Sequence, residues 1–187
     1  MDQLKNDSSP RLTELKTGYA YVNTARLSLF PLSFDQLLKY MNNDGKLEKE
    51  LKLKRGKREL TTDLQGSLQA NILDNVADEE KDYRFYSLWV IIDRASKLMV
   101  GDVCFMGEPA PDGKSEVGYG TYGNYRQKGY MTEGLAALLH WARQQSKMKG
   151  AMAWTKKDNL ASVRVLEKNG FRKVKETQDL MQWMVDW

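Results

Sequence analysis

Residues 125–135 read YRQKGYMTEGL and carry most of the information about the architecture. A run of strand-forming residues precedes them (116–122), and an apolar pattern with helical spacing begins at Gly129. A basic, glycine-containing turn that opens a helix is a site for polyanions, because the first helical amides have no internal partners and lie at the positive end of the helix dipole. The sequence therefore predicts a strand, a phosphate-binding turn and a helix running to Lys147, in that order.

A second motif follows at residues 159–171, which read NLASVRVLEKNGF. This pattern predicts a helix that is capped at its start by Asp158 and stopped by Gly170, since glycine readily adopts the left-handed conformation of a helix end. Asn159 and Ser162 are explained equally well by an ordinary polar first turn, because both residue types favour that position. The pattern alone leaves their role open.

Together the two motifs resemble the acetyl-CoA-binding core of the GNAT acyltransferases, in particular the branch of Rim-type ribosomal-protein acetyltransferases. Residues 130–133 (YMTE) and the later run Asn-x-x-Ser followed by Val-Leu-Glu-Lys-x-Gly-Phe carry the resemblance. It covers most of the chain and is strongest from Glu116 to Phe171. It implies an α/β fold with a mixed, mainly antiparallel sheet flanked by helices, in which a splayed strand pair holds acetyl-CoA.

The resemblance implies that the backbone amides of the turn hold the pyrophosphate of acetyl-CoA, the acyl donor. Gln127 and Met131 depart from the family pattern, which favours small residues there, and are expected to make the turn bulkier while leaving the amides available. By the same resemblance, Asn159 contacts the pantetheine arm and Ser162 lies near the thiol. The positions expected to bind acetyl-CoA are Thr121, Arg126, Gln127, Lys128, Gly129, Tyr130, Met131, Thr132, Asn159 and Ser162.

Two residues are candidates for catalysis, Ser162 and Glu116. Other GNAT proteins place a general-acid Tyr seven residues after the Asn, but Leu166 occupies that position here. Ser162 is then the remaining candidate for protonating or hydrogen-bonding the departing thiolate. Glu116 begins a Glu-Val-Gly-Tyr run that relatives share, so it is interpreted either as a general base acting through water or as an exposed carboxylate at a strand end.

Composition bounds these interpretations. The chain has 187 residues, of which 41% are hydrophobic and 29% charged, as expected for one globular domain with a full core. No apolar run approaches the roughly 20 residues of a membrane span, so no membrane contact is expected. The single Cys104 fits a reducing cytoplasm, and one Cys with one His makes a metal site improbable. A net charge of +4 does not by itself imply nucleic acid.

The expected organisation is a single GNAT domain over 1–187, with 1–15 frayed, a helical acceptor-side region at 46–80 and the acetyl-CoA-binding core at 116–171. The basic segment, residues 46–58, contains seven lysines and arginines. Such a run is either a solvated helix face or a surface for an acidic protein partner.

Periodicity and turn signals place the remaining elements. Ser33 and Gln36 form a capping-box pattern that predicts a helix start. Helices are also expected at 46–60 and 63–75. The predicted strands are 26–32, 86–92, 98–105, 116–122, 151–155, 171–176 and 180–186.

The acceptor is expected to be a primary amine, either a protein N-terminus or a small molecule. An α-amino group has a pKa near about 8, whereas a lysine amine has one near about 10.4, so the α-amine needs a weaker base. This favours an N-terminal acceptor in a chain without an obvious His or Tyr base. The alternatives are an enzyme for a small amine and a non-catalytic acyl-CoA-binding protein. A homodimer is compatible with the sequence but not required by it.

Overall fold

The fold is a nine-stranded sheet with helices on both faces, seen in a computed structural model that describes residues 11–14, 20–58 and 60–187. The strand order is β1-β2-β3-β4-β5-β6-β7-β9-β8. All neighbours are antiparallel except β6 and β7, which are parallel. The strands are β1 (Arg11–Glu14), β2 (Ala20–Asn23), β3 (Leu27–Pro31), β4 (Trp89–Asp93), β5 (Leu98–Phe105), β6 (Lys114–Thr121), β7 (Gly150–Lys156), β8 (Arg172–Glu176) and β9 (Leu180–Asp186). The predicted mixed α/β sheet is confirmed.

The helices are α1 (Phe34–Asn42), α2 (Lys46–Glu50), α3 (Thr62–Ser67), α4 (Leu73–Ala77), α5 (Tyr130–Arg143) and α6 (Leu160–Lys168). A π-helical turn at Leu68–Ile72 joins α3 to α4, and 3-10 turns lie at Tyr83–Phe85 and Gly123–Tyr125. None of the helices in the described ranges is long and apolar enough to cross a membrane.

The capping box predicted for α1 is present. The Ser33 side chain accepts a hydrogen bond from the Gln36 amide, and the Gln36 side chain accepts one from the Ser33 amide. Both interactions are local in sequence, which explains why the sequence alone predicts the start of this helix.

Two hydrophobic clusters cover the two faces of the sheet. One holds α5 and the inward side chains of β3–β7 around Trp89 and Trp141, whose ring centroids are 4.8 Å apart. The other packs α1, α2 and the 62–77 helical region against β4 and β5 through Leu37, Leu47 and Leu68. The sheet therefore separates an α5 face from an α1–α4 face.

Three element boundaries differ from the sequence predictions. Residues 1–15 were expected to fray, but Arg11–Glu14 pairs with β2, whose backbone groups give it cross-strand partners; residues 1–10 and 15 lie outside the described part. The helix expected over 46–60 ends at Glu50, because Lys52 adopts a positive φ of 56° that breaks the helical path. Helix α5 ends at Arg143, short of Lys147.

Candidate acetyl-CoA site

The parallel strands β6 and β7 pair over only three residues. Lys114–Glu116 lies opposite Gly150–Met152, and beyond that point no further pairing joins the two strands. The rest of β6 bonds to β5 on its other side, while β7 continues alongside β9. The strands thus diverge into a V-shaped opening with Glu116 at its apex, and the family resemblance implies such a splayed pair. Backbone groups along such an opening need partners, which a bound chain with amide groups supplies.

The turn after β6 opens α5 without a capping side chain. Gly129 is the N-cap residue, with φ of 76° and ψ of 2°, and no side chain of the described residues bonds the helix start there. The amides of the first turn therefore remain free to bind an anion, and the helix dipole adds to the attraction. Glycine suits this place because a side chain is strained at positive φ.

The other residues of the turn differ in burial: residues 126–128 are exposed, whereas Met131 is buried. Arg126, Gln127 and Lys128 are exposed, and the Arg126 Nε donates to the Thr121 carbonyl at 3.4 Å. Gln127 has a φ of 61°, a left-handed backbone conformation that glycine adopts more readily than glutamine. The expectation that Met131 makes the turn bulkier is wrong, because its side chain packs inside the α5-face cluster and leaves only its amide at the helix start.

Arg26 supports this turn from a distant part of the chain, and the sequence analysis missed it. Its Nη2 lies 2.7 Å from the Glu133 carboxylate, its Nη1 donates to the Lys128 carbonyl at 3.3 Å, and its guanidinium carbon lies 5.2 Å from the centre of the Tyr130 ring. Burial opposes ionisation of Glu133, but hydrogen bonds from Thr24 and Arg26 outweigh it and lower the Glu133 pKa. No local pattern signals this contact, because the partners lie 107 residues apart.

The start of α6 brings Ser162 to the α5 side of β6. Asn159, and not the predicted Asp158, caps the helix: its side-chain oxygen accepts from the Ser162 amide at 3.1 Å. The Asp158 prediction was wrong because the chain enters the helix one residue later. The Ser162 Oγ donates to the Tyr119 hydroxyl on β6 at 2.8 Å, and that hydroxyl lies 3.2 Å from the Ser162 carbonyl oxygen. Tyr119 is the second residue that the sequence analysis missed.

Thr132 and Thr121 frame the same region through their backbones. Asn169 at the end of α6 donates its side-chain amide to the Thr132 carbonyl at 3.2 Å, which links the two helices that flank the opening. The Thr121 carbonyl receives the Arg126 side chain. Both threonines are half-buried.

Glu116 faces away from Ser162. Side chains alternate along a strand, so Glu116 and Tyr119, three positions apart, leave opposite faces of β6. Tyr119 packs on the α5 face, whereas Gly118 on the Glu116 side opposes Cys104 of the α1–α4 face. Glu116 is half-buried, and burial raises its pKa. The two catalytic candidates thus lie on opposite faces of the sheet and do not contact each other.

Behind the turn, a buried polar cluster links β5, the end of β6 and α1. The Tyr40 hydroxyl donates to Asp102 at 2.8 Å and lies 3.2 Å from the Tyr122 hydroxyl. Burial raises the pKa values of Asp102 and of both tyrosines, despite the nearby Arg58. Cys104 is buried with a pKa raised to about 12, mainly by desolvation, so it is no thiolate nucleophile near neutral pH. No group of three or more potential metal ligands occurs within the described ranges.

The geometry agrees with the comparisons to known proteins. The family model of the Acetyltransferase (GNAT) domain matches residues 26–172. The chain therefore belongs to the GNAT acetyltransferase family. A relative from Bacillus subtilis (strain 168), the uncharacterized N-acetyltransferase YjdG, is 30% identical over 99 residues, 53% of this chain and 59% of the relative. The match thus spans about three fifths of that relative's length.

Two solved structures show the same fold. RimL, a ribosomal L7/L12 alpha-N-protein acetyltransferase, has a TM-score of 0.66 at 15% identity, over 95% of this chain and 100% of RimL. Spermidine N-acetyltransferase from Vibrio cholerae, in complex with CoA and spermine, has a TM-score of 0.61 at 14% identity, over 87% of this chain and 96% of that one. The resemblance to the GNAT family is confirmed, and RimL shares the fold of this chain.

Proposed function

We propose that the protein is an acetyl-CoA-dependent N-acetyltransferase that acts on a primary amine. The observation that carries this proposal is the uncapped start of α5 beside the exposed cations Arg126 and Lys128, at the mouth of the β6–β7 opening. Phosphates of the donor bind the free amides there, and the pantetheine arm enters the opening. Asn159 and Thr121 border that path. Membership of the family supports the same activity.

The reaction is a direct transfer within one active site. The amine nitrogen attacks the thioester carbon, the C–S bond breaks, and its electron pair leaves with the sulfur as a thiolate. The nitrogen loses one proton to water, assisted by Glu116. Most of the acceleration comes from holding the two reactants together. Hydrogen bonds to the tetrahedral oxyanion and to the departing sulfur add to it.

The two faces of the sheet divide the two substrates. The donor binds on the α5 and α6 side, where the turn and Ser162 lie. The acceptor then approaches from the α1–α4 side, where Glu116 points. Burial raises the pKa of Glu116, which makes its carboxylate a stronger base than an exposed one.

The basic segment, residues 46–58, lies between the α1–α4 face of the sheet, from which the acceptor is proposed to approach, and the turn that precedes α5. The Lys54 amide donates to the Lys97 carbonyl at 2.8 Å, and a Cβ added at Gly56 would lie 2.9 Å from the Tyr125 hydroxyl. Arg58 is buried against Tyr40, and its Nη1 donates to the Tyr40 backbone carbonyl at 2.6 Å. This hydrogen bond fixes the end of the basic segment. The exposed members that form no ion pair with a described residue are Lys49, Lys52, Lys54, Arg55 and Lys57.

We infer from this charge that the acceptor is the α-amine of a polypeptide with acidic residues near its N-terminus. A cationic wall attracts such a chain and repels a polyamine, because like charges disfavour encounter. An α-amine also needs less help from a base than a lysine or a polyamine does. RimL acts on the α-amine of a protein and the Vibrio cholerae enzyme on spermidine, so the common fold serves both acceptor types.

Two measurements test the proposal. Acetyl-CoA at a hundredfold excess over Kd should stabilise the native state by about 2.7 kcal/mol, which a thermal shift detects. Thiol release from acetyl-CoA is then followed with peptides that carry acidic or basic residues after a free N-terminus, with the same peptides blocked, and with spermidine. The acidic free peptides should react fastest. A missing thermal shift at millimolar acetyl-CoA contradicts the enzyme. Binding without thiol release identifies a non-catalytic acyl-CoA-binding protein, and faster turnover with spermidine contradicts the acceptor.

A matched variant isolates the charge effect. Replacing Lys52 and Lys54 with Glu should raise the KM for acidic peptides and leave the acetyl-CoA affinity within about twofold. Salt should raise the same KM in the wild type, since screening weakens exposed charge pairs. Replacing Lys173 and Lys175 on β8, away from this surface, is the control.

A further inference from the structure

The Tyr119 hydroxyl is the nearest polar side-chain partner of Ser162. The pair joins strand β6 to helix α6 across the α5 side of the opening, with 2.8 Å between the two hydroxyl oxygens. Both residues are half-buried, and the ring of Tyr119 packs against the α5-face cluster. A side chain held by its ring and by a hydrogen bond is fixed more firmly than the hydroxymethyl group of a serine, which rotates about one bond.

We propose that Tyr119 is a positioning residue that holds the Ser162 hydroxyl in place for the departing thiolate. This inference rests on the proposed acetyltransferase function and adds a residue to it. In the resting protein, the Ser162 Oγ donates to the Tyr119 hydroxyl, and that hydroxyl donates to the Ser162 backbone carbonyl at 3.2 Å, a bond that it exchanges in the next step. When a thiolate forms, rotation of the two hydroxyl hydrogens lets Tyr119 donate to the Ser162 Oγ and Ser162 donate to the sulfur. The 2.8 Å separation of the two hydroxyl oxygens suits donation in either direction.

The two hydroxyls stabilise charge without giving up their protons. Burial raises the Tyr119 pKa to about 12, whereas a thiol has a pKa near about 8.5. Proton transfer from either hydroxyl to the sulfur would run uphill, so both protons stay on oxygen. The thiolate leaves with the electron pair of the C–S bond, and the amine proton goes to water. Hydrogen bonds to a charged acceptor are stronger than those between neutral groups, and a donor chain strengthens each bond in it.

The Tyr119–Ser162 pair is important because Leu166 occupies the position at which other GNAT proteins place a general-acid tyrosine. Leu166 lies one turn further along α6, is fully buried, and carries no hydroxyl. Among the described residues near Ser162, Tyr119 is the phenol that hydrogen-bonds it. In this protein the tyrosine, Tyr119, lies on β6 instead of on α6, and it acts through Ser162.

A double-mutant cycle tests this inference. Tyr119→Phe keeps the ring and removes the hydroxyl. It should lower kcat about tenfold and leave the acetyl-CoA Kd, measured by calorimetry, within about twofold. Ser162→Ala should lower kcat by at least as much. The double variant should equal Ser162→Ala alone, because Tyr119 acts only through Ser162.

Two further variants separate positioning from packing. Ser162→Thr keeps a hydroxyl and should retain most of kcat when Tyr119 is present, but lose it when Tyr119→Phe is added. Tyr86→Phe, a half-buried tyrosine elsewhere, is the matched control and should leave kcat unchanged. Effects of Tyr119→Phe and Ser162→Ala that multiply, or a raised acetyl-CoA Kd with unchanged kcat, overturn the inference. If the wild type itself shows no thiol release, the proposed function fails instead.

Discussion

Arg26 and Glu133 form an ion pair at 2.7 Å that joins the β2–β3 connection to the first turn of α5. The same guanidinium donates to the Lys128 carbonyl, so one side chain holds both the turn proposed to bind phosphate and the helix that follows it. The arrangement also neutralises an acidic residue that would otherwise lower the anion affinity of the helix start. We therefore expect Arg26 to affect both stability and donor binding.

Arg26→Ala should therefore weaken both properties. The Arg26 side chain is 48% exposed, so the ion pair contributes at most about 1 kcal/mol, equivalent to a Tm loss of about 2–4 °C. The acetyl-CoA Kd should rise several-fold. Lys39→Ala, which breaks the exposed pair with Glu50 away from the site, should change Tm alone. Equal Kd values for both variants would show that Arg26 has no role in donor binding.

The Arg26 effect has a defined pH dependence. Because the folded protein lowers the Glu133 pKa, its ionised form stabilises the fold above the ordinary glutamate pKa of about 4.3. That stabilisation is lost as the pH falls through the lowered value. The Tm difference between wild type and Arg26→Ala should therefore be constant near pH 7 and shrink below about pH 4. Differential scanning calorimetry across this range measures it.

Gln127→Gly should stabilise the protein. A left-handed conformation costs a residue with a Cβ about 1–2 kcal/mol, which glycine avoids. Glycine also raises the conformational entropy of the unfolded chain, and this offsets part of the gain in stability. The expected net gain is about 0.5–1 kcal/mol, with an unchanged acetyl-CoA Kd, since the amides remain. Lys97→Gly, at a φ of 57°, is the control with the same strain far from the amides. Chemical denaturation that shows no gain for either variant would contradict the strain.

Asn159 caps α6, and substitution separates this function from the proposed contact with the pantetheine arm. Asn159→Ala should cost about 1 kcal/mol, because the helix loses its cap, whereas Asn159→Asp keeps a capping oxygen and should retain the stability. Both variants lack the side-chain NH2, so both should raise the acetyl-CoA Kd if that group contacts the pantetheine arm. A raised Kd for the alanine variant alone would limit Asn159 to capping.

Glu116→Gln should remove one ionisation from the rate profile. In the wild type, kcat/KM should fall as the pH drops through the raised Glu116 pKa, because only the carboxylate accepts a proton. The Gln variant should be slower and lack this limb, with the larger loss for a lysine-like acceptor. Above that pKa, the buried negative charge of Glu116 also destabilises the folded wild type, and the Gln variant lacks this charge. The Tm of the variant should therefore exceed that of the wild type near pH 8 but not at pH 4. An unchanged pH profile of kcat/KM would show that Glu116 does not act as a base.

Local patterns account for what the sequence predicts. The capping box of Ser33 and Gln36, the glycine at 129 and the order of strands around the turn all depend on neighbours within a few residues. The splayed pair and the donor site come from the family resemblance. Arg26 and Tyr119 were missed because each acts on a partner 107 or 43 residues away, and no spacing rule reports such contacts.

Boundary errors have physical reasons of the same kind. The choice between Asp158 and Asn159 as cap depends on one pair of backbone angles, to which both residue types are suited. The end of α2 depends on the left-handed Lys52, a residue type that gives no warning of a break. The strand Arg11–Glu14 forms because β2 is there to pair with it.

The three-residue contact between β6 and β7 divides the sheet into two ladders that are each well bonded but barely joined. Amide hydrogen exchange reports such a boundary directly. The amides of residues 117–121 that do not point towards β5 should exchange rapidly in the free protein, while those of β4 and β5 exchange slowly. Donor binding should slow exchange along the margins of the opening and leave the two ladders unchanged. The time course of that protection would follow the entry of the donor into the opening.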